Sequence, residues 1–125
     1  MGNVNLSSVI QIGSGSGTGL TWSEVTGTSQ AAAINSGYIA NNEALVTVTL
    51  PATAAVGSLV EVVGSGSGLW KLAAAAGDTI KFGNATTAAA GSLTATLQYD
   101  TVRVVCITAD TTWVVTNSVG SLTVA

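Results

Sequence analysis

The sequence predicts an all-β protein: a single antiparallel β-sandwich or barrel-like domain preceded by an N-terminal arm strand. Three observations carry this expectation. Apolar and polar residues alternate with a period of two in most of the apolar stretches. Glycine, Asp, Asn and Ser turn signals separate those stretches every ~8–12 residues. The two helix-like patches, residues 28–34 and the four alanines 73–76, fall short of the ~12 residues an isolated helix needs.

In chain order, residues 4–12 read as a first strand, with Val4, Leu6, Val9, Ile10 and Ile12 as its apolar residues. Glycines and serines from 13 to 19 cut it from the rest as a flexible joint. The expected division is therefore an arm and tether over 1–19 and a β-rich domain over 20–125. Around Gln30 to Asn35 the reading allows at most one helical turn. Residues 44–50 alternate cleanly, with Leu45 and Thr47 on one face and Val46 and Val48 on the other, and Pro51 ends the run. Residues 58–63 form the next strand, with Glu61 marking a wet face. The Gly-Ser-Gly-Ser-Gly of residues 64–68 reads as a hairpin loop into strand 69–72. Strands over 79–82 and 93–97 follow. Residues 101–108 are the richest in β-branched side chains, and Ala109-Asp110-Thr111 turns them into a hairpin with 112–116. A last short strand covers 122–124.

Charge is the unusual feature. Charged residues make up 7% of the 125 positions, against about 25% in an average soluble domain. Most of the surface is then left to Thr, Ser, Asn, Gly and Ala, and such a neutral surface is readily buried against copies of itself. The expected partner is the chain itself, as a homotrimer or a filament. Lys71, Lys81 and Arg103 are the only cations and the net charge is −3, so no basic stripe exists for nucleic acid or for an anionic membrane surface. No stretch has the apolar length of a membrane span. No basic segment followed by an apolar one reads as a secretory signal. A protein working outside a cell would then leave it by lysis, by a dedicated route, or after losing a segment.

Catalytic chemistry is hard to assemble from these residues. There is no histidine, which removes Ser-His-Asp and Cys-His arrangements and the commonest transition-metal ligand. Cys106 lies between Val105 and Ile107 in a strand, the setting of an inert buried thiol. Nothing in the spacing of Glu24, Glu43, Glu61, Asp78, Asp100 and Asp110 selects a hydrolytic pair, and Asp78, Asp100 and Asp110 fall at turns, where Asp caps the backbone. The calcium-loop pattern is missing. Residues 64–71 lack the Gly-Lys-Ser/Thr that opens a phosphate-loop helix. The expectation is a protein that is no enzyme and holds no cofactor or metal.

Five aromatic residues, Trp22, Trp70, Trp113, Tyr38 and Tyr99, offer rings for stacking on sugars, but with so few other large side chains each Trp reads first as an anchor of a small-residue core or of a contact between subunits. Tyr38, beside Gly37, is the leading candidate for receptor contact, with Tyr99 next; Asn41 and Asn42, which follow Tyr38, and Trp70 beside the loop 64–68 complete the candidates. Loops 37–42 and 64–68 are expected to face outward.

Several segments together carry a resemblance. They are Trp22-Ser23-Glu24-Val25 with Ser29-Gln30-Ala31, Asn35-Ser36-Gly37-Tyr38-Ile39-Ala40-Asn41-Asn42, and Val48-Thr49-Leu50-Pro51-Ala52-Thr53-Ala54-Ala55-Val56-Gly57. Gly64-Ser65-Gly66-Ser67-Gly68-Leu69-Trp70-Lys71, Ala76-Gly77-Asp78-Thr79-Ile80, Asp100-Thr101-Val102, and Trp113-Val114-Val115 before Val119-Gly120 complete the set. In this order they resemble the C-terminal tip domain of many phage and prophage tail-fibre-like proteins, over about residues 22–124. The resemblance implies a β-rich homotrimeric tip, on a virion tail fibre or extracellular appendage, that contacts a cell-surface glycan or protein receptor and has no enzyme activity. Two alternatives stand beside it. With only the tethered arm ahead of the domain, residues 4–12 fit a subunit that polymerises into a filament by donating its strand, and the aromatic rings fit a monomeric carbohydrate-binding module.

Overall fold

Val, Ile, Leu and Trp spaced two apart leave the backbone one economical solution, a pair of sheets that share the apolar side chains between them. The structure is a computed structural model that describes residues 19–125. Among the described residues there are twelve strands and no helix. They are β1 Thr21–Val25, β2 Ser29–Ala31, β3 Ser36–Ala40, β4 Val46–Thr49, β5 Leu59–Gly64 and β6 Trp70–Ala73, followed by β7 Thr79–Phe82, β8 Ala85–Thr86, β9 Ser92–Thr94, β10 Thr101–Thr108, β11 Thr112–Val119 and β12 Thr123–Val124. A seven-stranded sheet has the order β1-β3-β5-β10-β11-β7-β8, and a five-stranded sheet the order β12-β9-β6-β4-β2. Among the described residues neither sheet closes into a barrel.

The sheets are mixed, which corrects the antiparallel expectation. The first six strands visit the two sheets alternately, so β1, β3 and β5 run parallel in one sheet and β2, β4 and β6 run parallel in the other. A parallel neighbour needs a crossover to bring the chain back to its starting end, and here each crossover is a strand of the opposite sheet. The first half of the domain is thus a coil of three turns with one strand per sheet in each turn. The second half includes antiparallel pairs, with β10 between β5 and β11.

This topology overturns three local expectations. Residues 64–68 are not a hairpin loop, because β5 and β6 belong to different sheets and the segment carries the chain from one to the other. Residues 37–40 of the expected outward loop 37–42 instead belong to β3, an interior strand of the seven-stranded sheet that is buried over most of its length. Residues 29–31, expected near a helical turn, form the edge strand β2 against β4, since pairing satisfies backbone groups that one isolated helical turn leaves open. The β10–β11 hairpin forms as expected, with a longer β11 and two register shifts.

One cluster fills the space between the sheets. Val60, Val62, Val102, Val104, Ile80 and Trp113 enter from the larger sheet, and Val46, Val48, Trp70, Leu72 and Leu93 from the smaller, all fully buried. Cys106 is buried with them, its thiol 3.2 Å from the Thr108 carbonyl.

Candidate functional site

Strand pleating sends the residues between these core positions to the outer face of the larger sheet. Register then lines them up across five strands. One row reads Trp22, Gly37, Glu61, Arg103 and Asn117. The adjacent row reads Glu24, Ile39, Val63, Thr101 and Val119. The first row alone carries an indole, a carboxylate, a guanidinium and an amide on one sheet face, at interstrand steps of ~4.8 Å.

Gly37 decides where the indole sits. A Cβ on Gly37 would lie 2.6, 2.6 and 2.7 Å from the Trp22 ring atoms Cδ2, Cε3 and Cε2. Near-equal distances to three atoms of the six-membered ring place the glycine under the flat of that ring. The indole therefore leans across β3 toward β5, with one face against glycine backbone. Trp22 is 42% exposed, and its other face meets solvent.

Beside it, Arg103 donates from Nε and Nη2 to the same Glu61 oxygen, Oε1, at 3.0 and 2.8 Å. This is the ion pair among the described residues. Glu61 Oε2 and the Nη1 group of Arg103 make no bond in the pair. A groove of about 370 Å³ opens over it, lined by Glu61, Thr101, Arg103, Asn117, Ser118 and Val119.

A second feature is built around Asp100, at the end of the sheet where β10 begins and β11 finishes. Burial by itself would raise this carboxyl, but donation from the Thr96 and Leu97 amides and the Thr96 hydroxyl, all to Oδ2 at 2.9, 3.0 and 3.2 Å, outweighs it and holds the group below its ordinary value. The Asp100 carbonyl accepts from the Trp70 indole N–H at 2.8 Å. Gln98 donates to the Ser65 carbonyl at 2.9 Å. Gly64 lies so close to the Gln98 carbonyl that no side chain fits there. The loop 96–100 is thereby fixed at several points, yet Leu97 and Tyr99 on it are each 70% exposed.

Most of the exposed large apolar residues fall at the ends of strands. Leu97, Tyr99 and Val119 stand at this end of the larger sheet, and Leu45 precedes β4 at the same end. Ile34 before β3, Val56 before β5 and Ile107 near the close of β10 stand at the other. Trp22 lies between, on the sheet face.

The residues expected to contact a receptor separate into two groups. Tyr38 is buried, and its hydroxyl accepts from the Ala33 amide at 2.7 Å. Trp70 is fully buried. Neither ring faces a partner, because inward pleat positions on β3 and β6 claim both for the core, which corrects their assignment as contact residues. The Asn42 amide donates to the Thr26 carbonyl and its oxygen accepts from the Ala44 amide, so that side chain ties the β3–β4 link in place. Asn41 is exposed and donates to Glu24 at 2.7 Å. Tyr99 is exposed as expected. Val4, Leu6, Val9, Ile10 and Ile12, expected to drive assembly, lie outside the described residues.

The row through Glu61, Arg103 and Asn117 escaped sequence reasoning, since it exists only once β5, β10 and β11 are in register. Trp22 stands among the aromatic residues the sequence offers, but the glycine beneath it comes from a different turn of the coil. No protein-family model matches the chain, and no curated protein matches it.

Proposed function

We propose that this chain is a non-catalytic, self-associating module of a phage tail-fibre-like appendage, virion-borne or otherwise extracellular, that joins its own copies and contacts a cell surface. The distribution of exposed apolar side chains carries this reading. Large apolar residues left in water are candidates for contact surfaces, and here seven of the eight among the described residues stand at strand ends, not along the sheet face. A protein that meets its copies end to end, or gathers three chains around an axis, covers such ends. The scarcity of ionic groups supports the same conclusion, because little charge has to be stripped of water on association. The immobilised loop 96–100 adds to it: a contact loop already held in shape loses little freedom on binding.

Light scattering after size-exclusion chromatography tests the proposal, with negative-stain images of the same fractions. Assemblies of three or more copies are expected, closed or filamentous. A chain that stays monomeric at about 100 μM, well above the concentration at which a specific interface closes, rejects it.

A further inference from the structure

We infer that the outer face of the seven-stranded sheet is a binding site for a neutral glycan, with one sugar ring stacked on Trp22 and its neighbour seated over Glu61, Arg103 and Asn117. This deepens the receptor-contact half of the proposed function and does not depend on self-association.

The indole supplies the platform. Trp70 and Trp113 are fully buried, whereas Trp22 is laid flat by the missing side chain at Gly37 and keeps one face in water. An aromatic face suits the weakly positive C–H face of a pyranose. A ring fixed from below by backbone loses little freedom when a ligand lands on it.

The polar groups supply the selection. Sugar hydroxyls each donate and accept, and neighbouring hydroxyls on a ring form a short fork. The Glu61–Arg103 pair presents the complement: Oε2 of Glu61 remains as an acceptor and Nη1 of Arg103 as a donor, because both existing bonds fall on Oε1. Asn117, next in the row, adds a group that does both. The step from β3 to β5, ~4.8 Å, is close to the length of one sugar residue, so a glycan crossing the strands meets the indole and then the ion pair. The groove of about 370 Å³ over Glu61, Arg103 and Asn117 holds one such residue.

The charge balance narrows the class. The pair is internally neutral, and the chain carries a net −3. A sulfated or uronate-rich polymer would find no unpaired cation in this row, while a neutral hexose or N-acetylhexosamine chain needs none.

The test uses the full chain and a panel of neutral oligosaccharides of the gluco, galacto, manno and N-acetylglucosamine series, beside sulfated and uronate oligosaccharides. Trp22 is the exposed indole of the three, so acrylamide quenching of tryptophan fluorescence reports on it. At least one neutral series should protect the fluorescence. Trp22→Ala should weaken that binding at least about tenfold, and Trp22→Phe, which keeps a ring, should retain most of it. Arg103→Gln should weaken binding with the emission of the buried tryptophans unchanged, which certifies the fold. Failure of every neutral series to protect Trp22, binding that survives Trp22→Ala, or preference for the acidic series overturns the inference. Light scattering on the same samples separates the two readings: a monomer that binds sugar sinks the assembly proposal alone, and an assembly with no sugar affinity sinks this one alone.

Discussion

Replacing Asp100 with alanine removes the group on which the loop 96–100 is hung. The Thr96 and Leu97 amides donate to Oδ2 of an Asp100 that is only 4% exposed, while the single proton of the Thr96 hydroxyl is divided between Oδ2 at 3.2 Å and the Ser121 carbonyl at 2.6 Å. Hydrogen bonds to a charged group contribute about 1.5–3 kcal/mol each, so the two amides set a combined loss of about 3 kcal/mol. The Trp70 bond goes to the main-chain carbonyl and survives the substitution. In urea, with a slope of about 1.5 kcal/mol per molar, the midpoint should fall by about 2 M. Trp70 and Trp113, both fully buried, provide the fluorescence signal. The effect should also depend on pH. The folded Asp100 carboxyl titrates below its ordinary 3.8, so its stabilisation is complete above that value and fades as pH falls through the folded pKa. Wild type and Asp100→Ala should therefore differ most near pH 7 and converge in acid. A midpoint shift below about 0.3 M at pH 7, or a gap that persists unchanged at pH 2, would refute the assignment of Asp100 as the anchor of this loop.

Leu97→Ser combined with Tyr99→Ser should reduce the assembly measured by light scattering while leaving the urea midpoint nearly unchanged, since substitutions at exposed positions usually stay within about 0.5 kcal/mol. Gly68→Ala should prevent folding or cost more than about 3 kcal/mol, at the top of the overpacking range, because the added Cβ runs into the backbone of Ala44; Ser67→Ala, at an exposed position, is the neutral control, and circular dichroism with urea titration compares them. Asp78→Asn should stabilise the protein at pH 7 by about 1 kcal/mol, because the neutral amide costs less to bury without a partner than a charged carboxylate. Asp78 Oδ2 is buried without a hydrogen-bond partner, and burial first and the Asp110 charge second raise its carboxyl above 3.8. The folded state then holds the proton more tightly than the unfolded one, so wild type regains stability as pH falls toward 3.8, and the advantage of the variant should vanish there in thermal melts.

Strand content was largely legible because period-two alternation is a local property. Val46 and Val48 point inward and Leu45 outward as the alternation requires, and residues 101–108 form β10 to the residue. Topology was not legible. The coil of β1 to β6 leaves no fixed repeat, since the aligned positions Thr21, Ser36 and Val60 are unevenly spaced and no period repeats along the chain. Glycines beside Tyr38 and Trp70 give both residues the sequence context of a surface contact. Those glycines instead mark close approach: Gly37 beneath the Trp22 ring, Gly66 and Gly68 against the backbone of residues 41–44. The candidate glycan row was the least legible feature, since its members meet only through pairings between strands far apart in sequence.

The three-turn coil also sets how the module can grow. Its first turn consists of β1 on one sheet and β2 on the other, and among the described residues each is the outermost strand of its sheet. Lengthening such a body means inserting a loop of chain between existing loops, with the rest keeping its neighbours, as in other stacked architectures. Girth stays fixed while height is adjustable, a useful property for anything that must bridge a set gap.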